Sequence, residues 1–221
     1  MPSERPLPTQ LYVEQAERWP GAGRHILAHW DESSVIVYQA YRPAIARWAL
    51  AHGSFGGPEF NFSRMSWIKP NFLWMMYRSA WATAEGQEMV LAIRLSRSFF
   101  EQLLRVAVAS SHAADSGETR DEWQARVRAS EVRLQWDPDH GPGGGRLERR
   151  AVQLGLRGAT LRAYATSEII EVIDMTPFVV AEREHASRAG WEQLRTPLEA
   201  VYPIADAAIA ANIGLAIERD V

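Results

Sequence analysis

RMSWIKPNFLWMMYRSAW, residues 64–81, is the most unusual stretch of the sequence, and it predicts a strand, a turn and a helix in succession. Met65–Ile68 reads as a short strand. Asn71 is a good N-cap for a helix that we expect from about Phe72 to Thr83. Because this strand-to-helix junction combines basic groups with large aromatic rings, we expect the working site of the protein here.

The segments on either side alternate irregularly between strand-like and helix-like patterns. Predicted strands are His25–Trp30, Val35–Tyr41, Glu88–Leu95, Glu131–Trp136, Leu147–Leu154 and Ile169–Met175. Predicted helices are Leu11–Arg18, Ala44–Ala51, Phe99–Ser110, Arg120–Ala129, Ala159–Ser167, Phe178–Ser187 and Ala205–Ala216. Since these do not form regular βαβ units, we expect an α+β fold with a mixed or antiparallel sheet flanked by helices. Residues 1–221 are predicted to form one compact domain, with residues 1–10 as a loose arm and 137–146 as a flexible hairpin tip.

Composition excludes several classes of protein. The chain has 221 residues, 47% of them hydrophobic, and a formal net charge of −3, so no overall basic field favours nucleic acid. It has no cysteine, which excludes disulfides, Cys-ligated zinc and a Cys nucleophile. The N-terminus lacks the apolar run of a secretory signal, and the apolar stretch Ala207–Ile217 is too short to span a bilayer. We therefore expect a cytoplasmic protein with no membrane partner; the sequence does not indicate an oligomeric state.

Lys69 is the sole lysine in the chain, since the other basic residues are all arginine. Lysine offers a compact charge and an amine whose pKa shifts readily, and arginine offers neither. A lysine that remains in an arginine-biased sequence is therefore a candidate functional residue, although one leftover lysine is also expected by chance.

The cations of the quoted stretch predict an anion site. Lys69 precedes the expected helix, Arg64 and Arg78 flank it, and the first turn of a helix presents unpaired N–H groups around Asn71. Together they would bind phosphate or carboxylate. The alternative is an ordinary buried helix.

Aromatic residues of the same stretch are candidates for stacking on a base. They are Trp67, Trp74 and Tyr77, and Trp74, Arg78 and Trp81 would share one helix face. Further candidate ligand residues lie at the end of the strand before Pro43: Tyr38, Gln39, Tyr41 and Arg42. Glu171, inside an apolar run, is a candidate catalytic acid or base, although it could equally face solvent.

No metal site is predicted. The histidines show no HExxH spacing, and Asp137, Asp139 and His140 are better explained as a solvated turn than as ligands. No GxSxG motif supports a serine hydrolase.

Four runs resemble the bacterial and fungal family known as domain-of-unknown-function family 4291. They are VYQAYRPAIA (37–46), RMSWIKPNFLWMMYRSAW (64–81), QEMVLAI (87–93) and VRLQWDP (132–138). The resemblance covers roughly Arg24 to Thr176. It implies that Lys69 belongs to the family motif, and it implies no reaction.

Three functional hypotheses stay open at this point. The first is an enzyme that acts on a nucleotide or phosphate-bearing substrate. By analogy of fold it would be an ADP-ribosyltransferase-like protein that uses NAD, with Glu171 orienting the ribose, or one in which Lys69 is the nucleophile. The second is a module that binds or processes single-stranded RNA or DNA. The third is a non-catalytic domain that binds a protein partner through exposed Trp residues.

Overall fold

The computed structural model describes residues 7–112 and 117–215. Its α-helices are α1 (Tyr12–Ala16), α2 (Pro43–His52), α3 (Phe72–Ser79), α4 (Arg97–Val106), α5 (Arg120–Ala129), α6 (Gly158–Thr166), α7 (Thr176–Glu182) and α8 (Ala207–Ile213). Its strands are β1 (Thr9–Leu11), β2 (Gly23–Arg24), β3 (Leu27–Ala28), β4 (Ser34–Tyr41), β5 (Ser66–Ile68), β6 (Met89–Ser96), β7 (Val108–Ala109), β8 (Val132–His140), β9 (Arg146–Leu156), β10 (Ile169–Asp174), β11 (Arg195–Pro197) and β12 (Ala200–Val201). Two 3₁₀ turns follow α7, at Arg183–His185 and Arg188–Gly190.

A three-stranded antiparallel sheet in the order β10-β6-β4 lies at the centre of the molecule. Its strands are apolar on both faces because each face is covered by a separate cluster of side chains. Val37 and Ile93 pack into one cluster, whereas Ile36 and Ala92 pack into the other. The alternation follows from the two-residue period of a strand.

A five-stranded mixed sheet is built around the long hairpin of β8 and β9. β8 and β9 pair antiparallel, β7 adds in parallel to β8, and β2 and β5 pair with β9. Two small antiparallel pairs complete the structure, β1 with β11 and β3 with β12. The chain is a single compact α+β domain with mixed sheets, as predicted.

The two main sheets meet at Lys69. Directly after β5, Lys69 forms an antiparallel bridge with Tyr38 of β4. The Tyr38 N–H donates to the Lys69 carbonyl at 2.6 Å, and the Lys69 N–H donates to the Tyr38 carbonyl at 3.2 Å. The backbone of this residue is therefore fixed from both sides.

The predicted helices are all present, α5 with the predicted bounds and the others with shifted ends, and the last residue of the eighth lies outside the described residues. The helix that begins at Phe72 ends earlier than predicted, at Ser79, because Ala80, Trp81 and Ala82 have φ values of 48°, 54° and 62°. Trp81 therefore does not share a helix face with Trp74 and Arg78. The predicted strand His25–Trp30 is reduced to β3.

The hairpin tip and the N-terminal arm also differ from the predictions. β8 continues through His140, and Asp139 and His140 are buried instead of forming a solvated turn. Residues 7–10 of the predicted loose arm pack against the domain, since Leu7 is buried and Thr9 pairs with Pro197. Residues 1–6 lie outside the described residues.

None of the helices in the described part of the chain combines the length and the apolar character that crossing a bilayer requires.

A buried ion pair connects the two strands of the β8–β9 hairpin, and its arginine also binds the N-terminal segment. The Arg149 guanidinium contacts the Asp139 carboxylate at 2.7 Å, with side chains 6% and 1% exposed, and it also donates to the Pro20 carbonyl. We expect Arg149→Met to lower the free energy of unfolding by about 3–5 kcal/mol, because it leaves a buried carboxylate unpaired. Urea denaturation measures the loss.

The matched control is Arg105→Met, since Arg105 pairs with Asp206 at the surface, with side chains 47% and 38% exposed. That change is expected to cost less than about 1 kcal/mol. Equal losses in the two variants would contradict the structural role given to Arg149.

Candidate functional site

A cleft of about 1000 Å³ opens where β4 ends and β5 begins. One wall is the end of β4, from Gln39 to Arg42, and the other is the loop of residues 58–65 that leads into β5. Lys69 and Arg78 also line the cleft. The sequence-predicted stretch Arg64–Arg78 thus supplies much of the lining.

Positive charge predominates in this cleft although the chain as a whole is acidic. Arg42, Arg64, Lys69 and Arg78 line it, and Glu59 is the one carboxylate among its described lining residues. Glu59 pairs with Arg42 at 2.8 Å near the rim. The side chains of Arg64 and Arg78 are exposed and form no ion pair within the described residues, so both guanidinium groups are available to a ligand.

Lys69 has the most unusual environment of the four cations. It is 6% exposed, and within residues 7–112 and 117–215 its amine has a single hydrogen bond, to the Trp67 carbonyl at 3.5 Å. Burial lowers the pKa of Lys69 to about 8, helped by the charge of Arg78 and opposed by Asp137. An amine in this state is a good anion ligand at neutral pH and becomes a neutral nucleophile more easily than an exposed lysine.

The wall formed by β4 is polar, and its side chains form hydrogen bonds with one another and with neighbouring residues. The Gln39 amide donates to the Ser66 hydroxyl at 2.8 Å and to the Tyr41 hydroxyl at 2.9 Å, and it accepts from the Tyr164 hydroxyl at 2.7 Å. Burial raises the pKa of Tyr41 to about 12, so its hydroxyl stays protonated at neutral pH. Gln39, Tyr41 and Ser66 therefore form a rigid wall with hydroxyl groups in fixed positions.

A smaller cavity of about 350 Å³ adjoins the cleft. Trp67, Lys69 and Arg78 line both spaces. The smaller cavity also has Trp74 on its helix side, and Gln135, Asp137 and Gln153 on the face of the β8–β9 hairpin. Lys69 thus contributes to the walls of both cavities.

The N-terminus of α3 is not the anion site that the sequence predicted. The buried Glu199 carboxylate accepts from the Phe72 N–H at 2.8 Å and from the Asn71 amide at 3.3 Å. Burial raises the pKa of Glu199 well above its ordinary range. Asn71 caps the helix by accepting from the Trp74 N–H at 2.6 Å, as predicted, but it is a structural residue and does not face the cleft.

Tyr38 is likewise placed away from the cleft. Its side chain points to the opposite face of β4 from Gln39 and Tyr41, and its ring packs edge-on against Phe72 at 5.5 Å. Burial raises the pKa of Tyr38, and the nearby carboxyl group of Glu199 raises it further. Its buried hydroxyl has no hydrogen bond of normal geometry within the described part of the chain. The predicted role in ligand binding is corrected to a role in the core.

The three aromatic residues predicted to stack on a base lie in different surroundings. Trp74 and Tyr77 stack on each other at 5.4 Å, and the Tyr77 ring is covered by the His140 imidazole at 3.6 Å. Tyr77 lines neither cavity, and Trp74 reaches only the smaller one. Trp67 is the predicted aromatic residue that lines both.

Glu171, the predicted catalytic carboxylate, lies outside both cavities. It forms an ion pair with Arg94 at 2.9 Å across β10 and β6. The residues that the structure brings together are therefore Arg42, Arg64, Lys69 and Arg78 with Trp67, Gln39 and Tyr41. Glu171, Tyr38, Asn71 and Tyr77 are not among them.

Three cavity residues were missed as binding candidates in the sequence: Gln135, Asp137 and Gln153. The signal for two of them was present, because Gln135 and Asp137 are two residues apart in VRLQWDP and therefore share one face of a strand. Asp137 was assigned to a turn instead. Among the described residues, no group of three or more His, Asp or Glu side chains could hold a metal ion.

The environment of Lys69 generates a pH-dependent stability prediction. Because the folded-state pKa of about 8 is below the unfolded value of about 10.5, the unfolded chain binds the proton more tightly. Burial of the charged amine therefore lowers the free energy of unfolding. The whole loss is present below pH 8, and it disappears as the pH rises towards 10.5. We expect Lys69→Met to be more stable than the wild type by about 3 kcal/mol at pH 7, with the difference vanishing by about pH 10.5.

Urea denaturation at pH 7 and pH 10 measures both values. Lys69→Arg is the control, because its guanidinium stays charged at both pH values. This variant should therefore not be more stable than the wild type. Parallel stability curves for the wild type and Lys69→Met would show that the amine is not perturbed by burial.

Comparison with known proteins identifies the family. Residues 25–202 match the family model described as "Domain of unknown function (DUF4291)". A search among curated proteins finds no match. The match spans the three-stranded sheet, every strand of the five-stranded sheet except β2, the cleft and the smaller cavity, and it confirms the resemblance seen in the four sequence runs. The chain therefore belongs to the DUF4291 family.

Proposed function

We propose that the protein is an enzyme that acts on a nucleotide or another phosphate-bearing small molecule bound in the main cleft. The observation that carries this proposal is the buried amine of Lys69, which has no ion-pair partner among the described residues and faces a cleft shared with Arg64 and Arg78. A buried unpaired cation is costly, so its retention is best explained by an anionic ligand.

The chemistry of the cleft suits group transfer from a phosphate-bearing substrate. The two guanidinium groups hold phosphate oxygens in bidentate fashion, and the Lys69 ammonium supplies a compact charge deeper inside. Fixed positive groups in a partly desolvated site stabilise the negative charge that develops during transfer. Binding of the anion also raises the pKa of the amine again, because an opposite charge favours the protonated form.

NAD and ATP are the two nucleotides to be considered first. ADP-ribosyl transfer from NAD remains one form of the proposal, but it loses the support of Glu171, which pairs with Arg94 away from the cleft. A carboxylate for the ribose would have to come from Glu59 or Asp137, which line the two cavities.

Binding of single-stranded nucleic acid is the second candidate, favoured by the open cleft with its four cations. It has less support, because the rings of Trp74 and Tyr77 stack on each other and neither lines the main cleft, so Trp67 is the one of the three predicted stacking residues that does. Protein-partner binding through Trp residues has no specific observation in its favour.

The test is thermal unfolding with and without ligand. We expect ATP or NAD at saturating concentration to raise the Tm of the wild type by several degrees, since a ligand at about 100 times its Kd adds about 2.7 kcal/mol. The variants Lys69→Met and Arg64→Met/Arg78→Met should lose this shift. Lys69→Arg is expected to fold normally and to lose turnover, which HPLC follows as release of nicotinamide or phosphate.

Arg105→Met serves as the control, because it removes a surface charge that does not line the cleft. A shift with single-stranded RNA alone, falling steeply with salt, would replace the enzyme proposal by nucleic-acid binding. Full turnover by Lys69→Arg would remove the special role of the amine.

A further inference from the structure

The smaller cavity has features that phosphate binding does not use. Its volume of about 350 Å³ is at the lower end of the range for ligand pockets, about 300–1,000 Å³. Its sheet side presents a carboxylate and two amides instead of cations: Asp137, Gln135 and Gln153. A site for phosphate alone would gain nothing from a carboxylate at this position.

The carboxylate of Asp137 is held in place by two amides. Gln135 donates to Oδ1 and Gln153 donates to Oδ2, each at 2.7 Å. The two glutamines face each other directly in the β8–β9 register, so both sides of the carboxylate are fixed by the sheet. Each carboxylate oxygen keeps further acceptor capacity, and neither glutamine carbonyl accepts a hydrogen bond from the described residues. The sheet side therefore presents a fixed carboxylate acceptor between two amides.

The other walls of the cavity suit a flat ring. The indoles of Trp67 and Trp74 line it, and Gly155 lets the Trp67 ring lie close to β9. A Cβ at Gly155 would meet the Met65 sulfur at 2.6 Å and the Trp67 ring at 3.0 Å, so a larger residue would displace that wall. Aromatic walls with polar groups along one edge are the general form of a heteroaromatic pocket.

We infer that the smaller cavity is a nucleobase pocket that prefers guanine. Guanine presents two neighbouring donors, N1–H and N2–H₂, which match the fixed carboxylate of Asp137, while its O6 acceptor suits the donors of Lys69 or Arg78. Adenine would present its N1 lone pair to the same carboxylate, which is unfavourable. The inference rests on the proposed function, because phosphates in the main cleft would direct the base into the adjoining cavity.

Isothermal titration of the whole protein with GDP, ADP and pyrophosphate tests the inference. We expect pyrophosphate to bind, and GDP to bind at least about tenfold more tightly than ADP, the discrimination that one good bidentate pair supplies. In Asp137→Asn the GDP-to-ADP ratio should fall to about twofold or less, because the amide offers one donor where the carboxylate had only acceptors. Circular dichroism checks folding, and Asp137→Ser replaces Asp137→Asn should that variant not fold.

The outcomes separate the two proposals. Equal affinities for GDP and ADP in the wild type, or an unchanged ratio in the Asp137 variant, would overturn the guanine pocket, while pyrophosphate binding would leave the proposed function standing. Failure of all three compounds to bind would overturn both.

Discussion

The backbone bridge between Lys69 and Tyr38 is the constraint on which the site depends. Its two hydrogen bonds, at 2.6 and 3.2 Å, tie the end of β5 to β4 and so join the three-stranded sheet to the five-stranded sheet. The bridge fixes the direction in which the Lys69 side chain leaves the backbone. This side chain lines both the main cleft and the smaller cavity, and its burial lowers the pKa of the amine.

The distribution of charge separates structural from functional cations. Arg149 and Arg94 are held by carboxylates, Asp139 and Glu171: the first pair lies within the β8–β9 hairpin, and the second joins β6 to β10. Lys69, by contrast, has no ion pair within the described residues and shares its cleft with exposed guanidinium groups. The chain thus neutralises its structural charges internally and leaves a positive cleft in a protein of net charge −3. Keeping a buried charge unpaired lowers stability, which is expected where binding requires it.

Features that depend on neighbouring residues could be predicted from the sequence, whereas contacts between residues far apart in the chain could not. The cap at Asn71, the helix Arg120–Ala129 and the alternation of Gln39 with Tyr38 depend on neighbouring residues, and the structure has all three. α3 ends early because Ala80, Trp81 and Ala82 have positive φ values, although none of them is a glycine, the residue that usually indicates this conformation. The sequence pattern of this segment alone therefore does not predict where the helix ends.

The site itself was predicted only where it lies within one segment. Arg64, Lys69 and Arg78 come together because the stretch that contains them folds locally. The occupation of the α3 N-terminus by Glu199 involves residues 127 positions apart, so it could not be foreseen. The separation of Glu171 from the cleft follows from its register with Arg94 in the central sheet, which is equally a property of the whole fold.

The central claim is that the Lys69 amine is buried without an ion-pair partner among the described residues, and the pKa of Lys69 tests it. Because the chain has one lysine, a protein labelled with ¹³C-lysine gives a single side-chain signal in an NMR titration, with no assignment problem. We expect the Lys69 signal to titrate with a midpoint at about pH 8, and this midpoint should rise when pyrophosphate is added. A midpoint near the ordinary value of about 10.5, unchanged by pyrophosphate, would mean that the amine is solvated and that the cleft is not built around it.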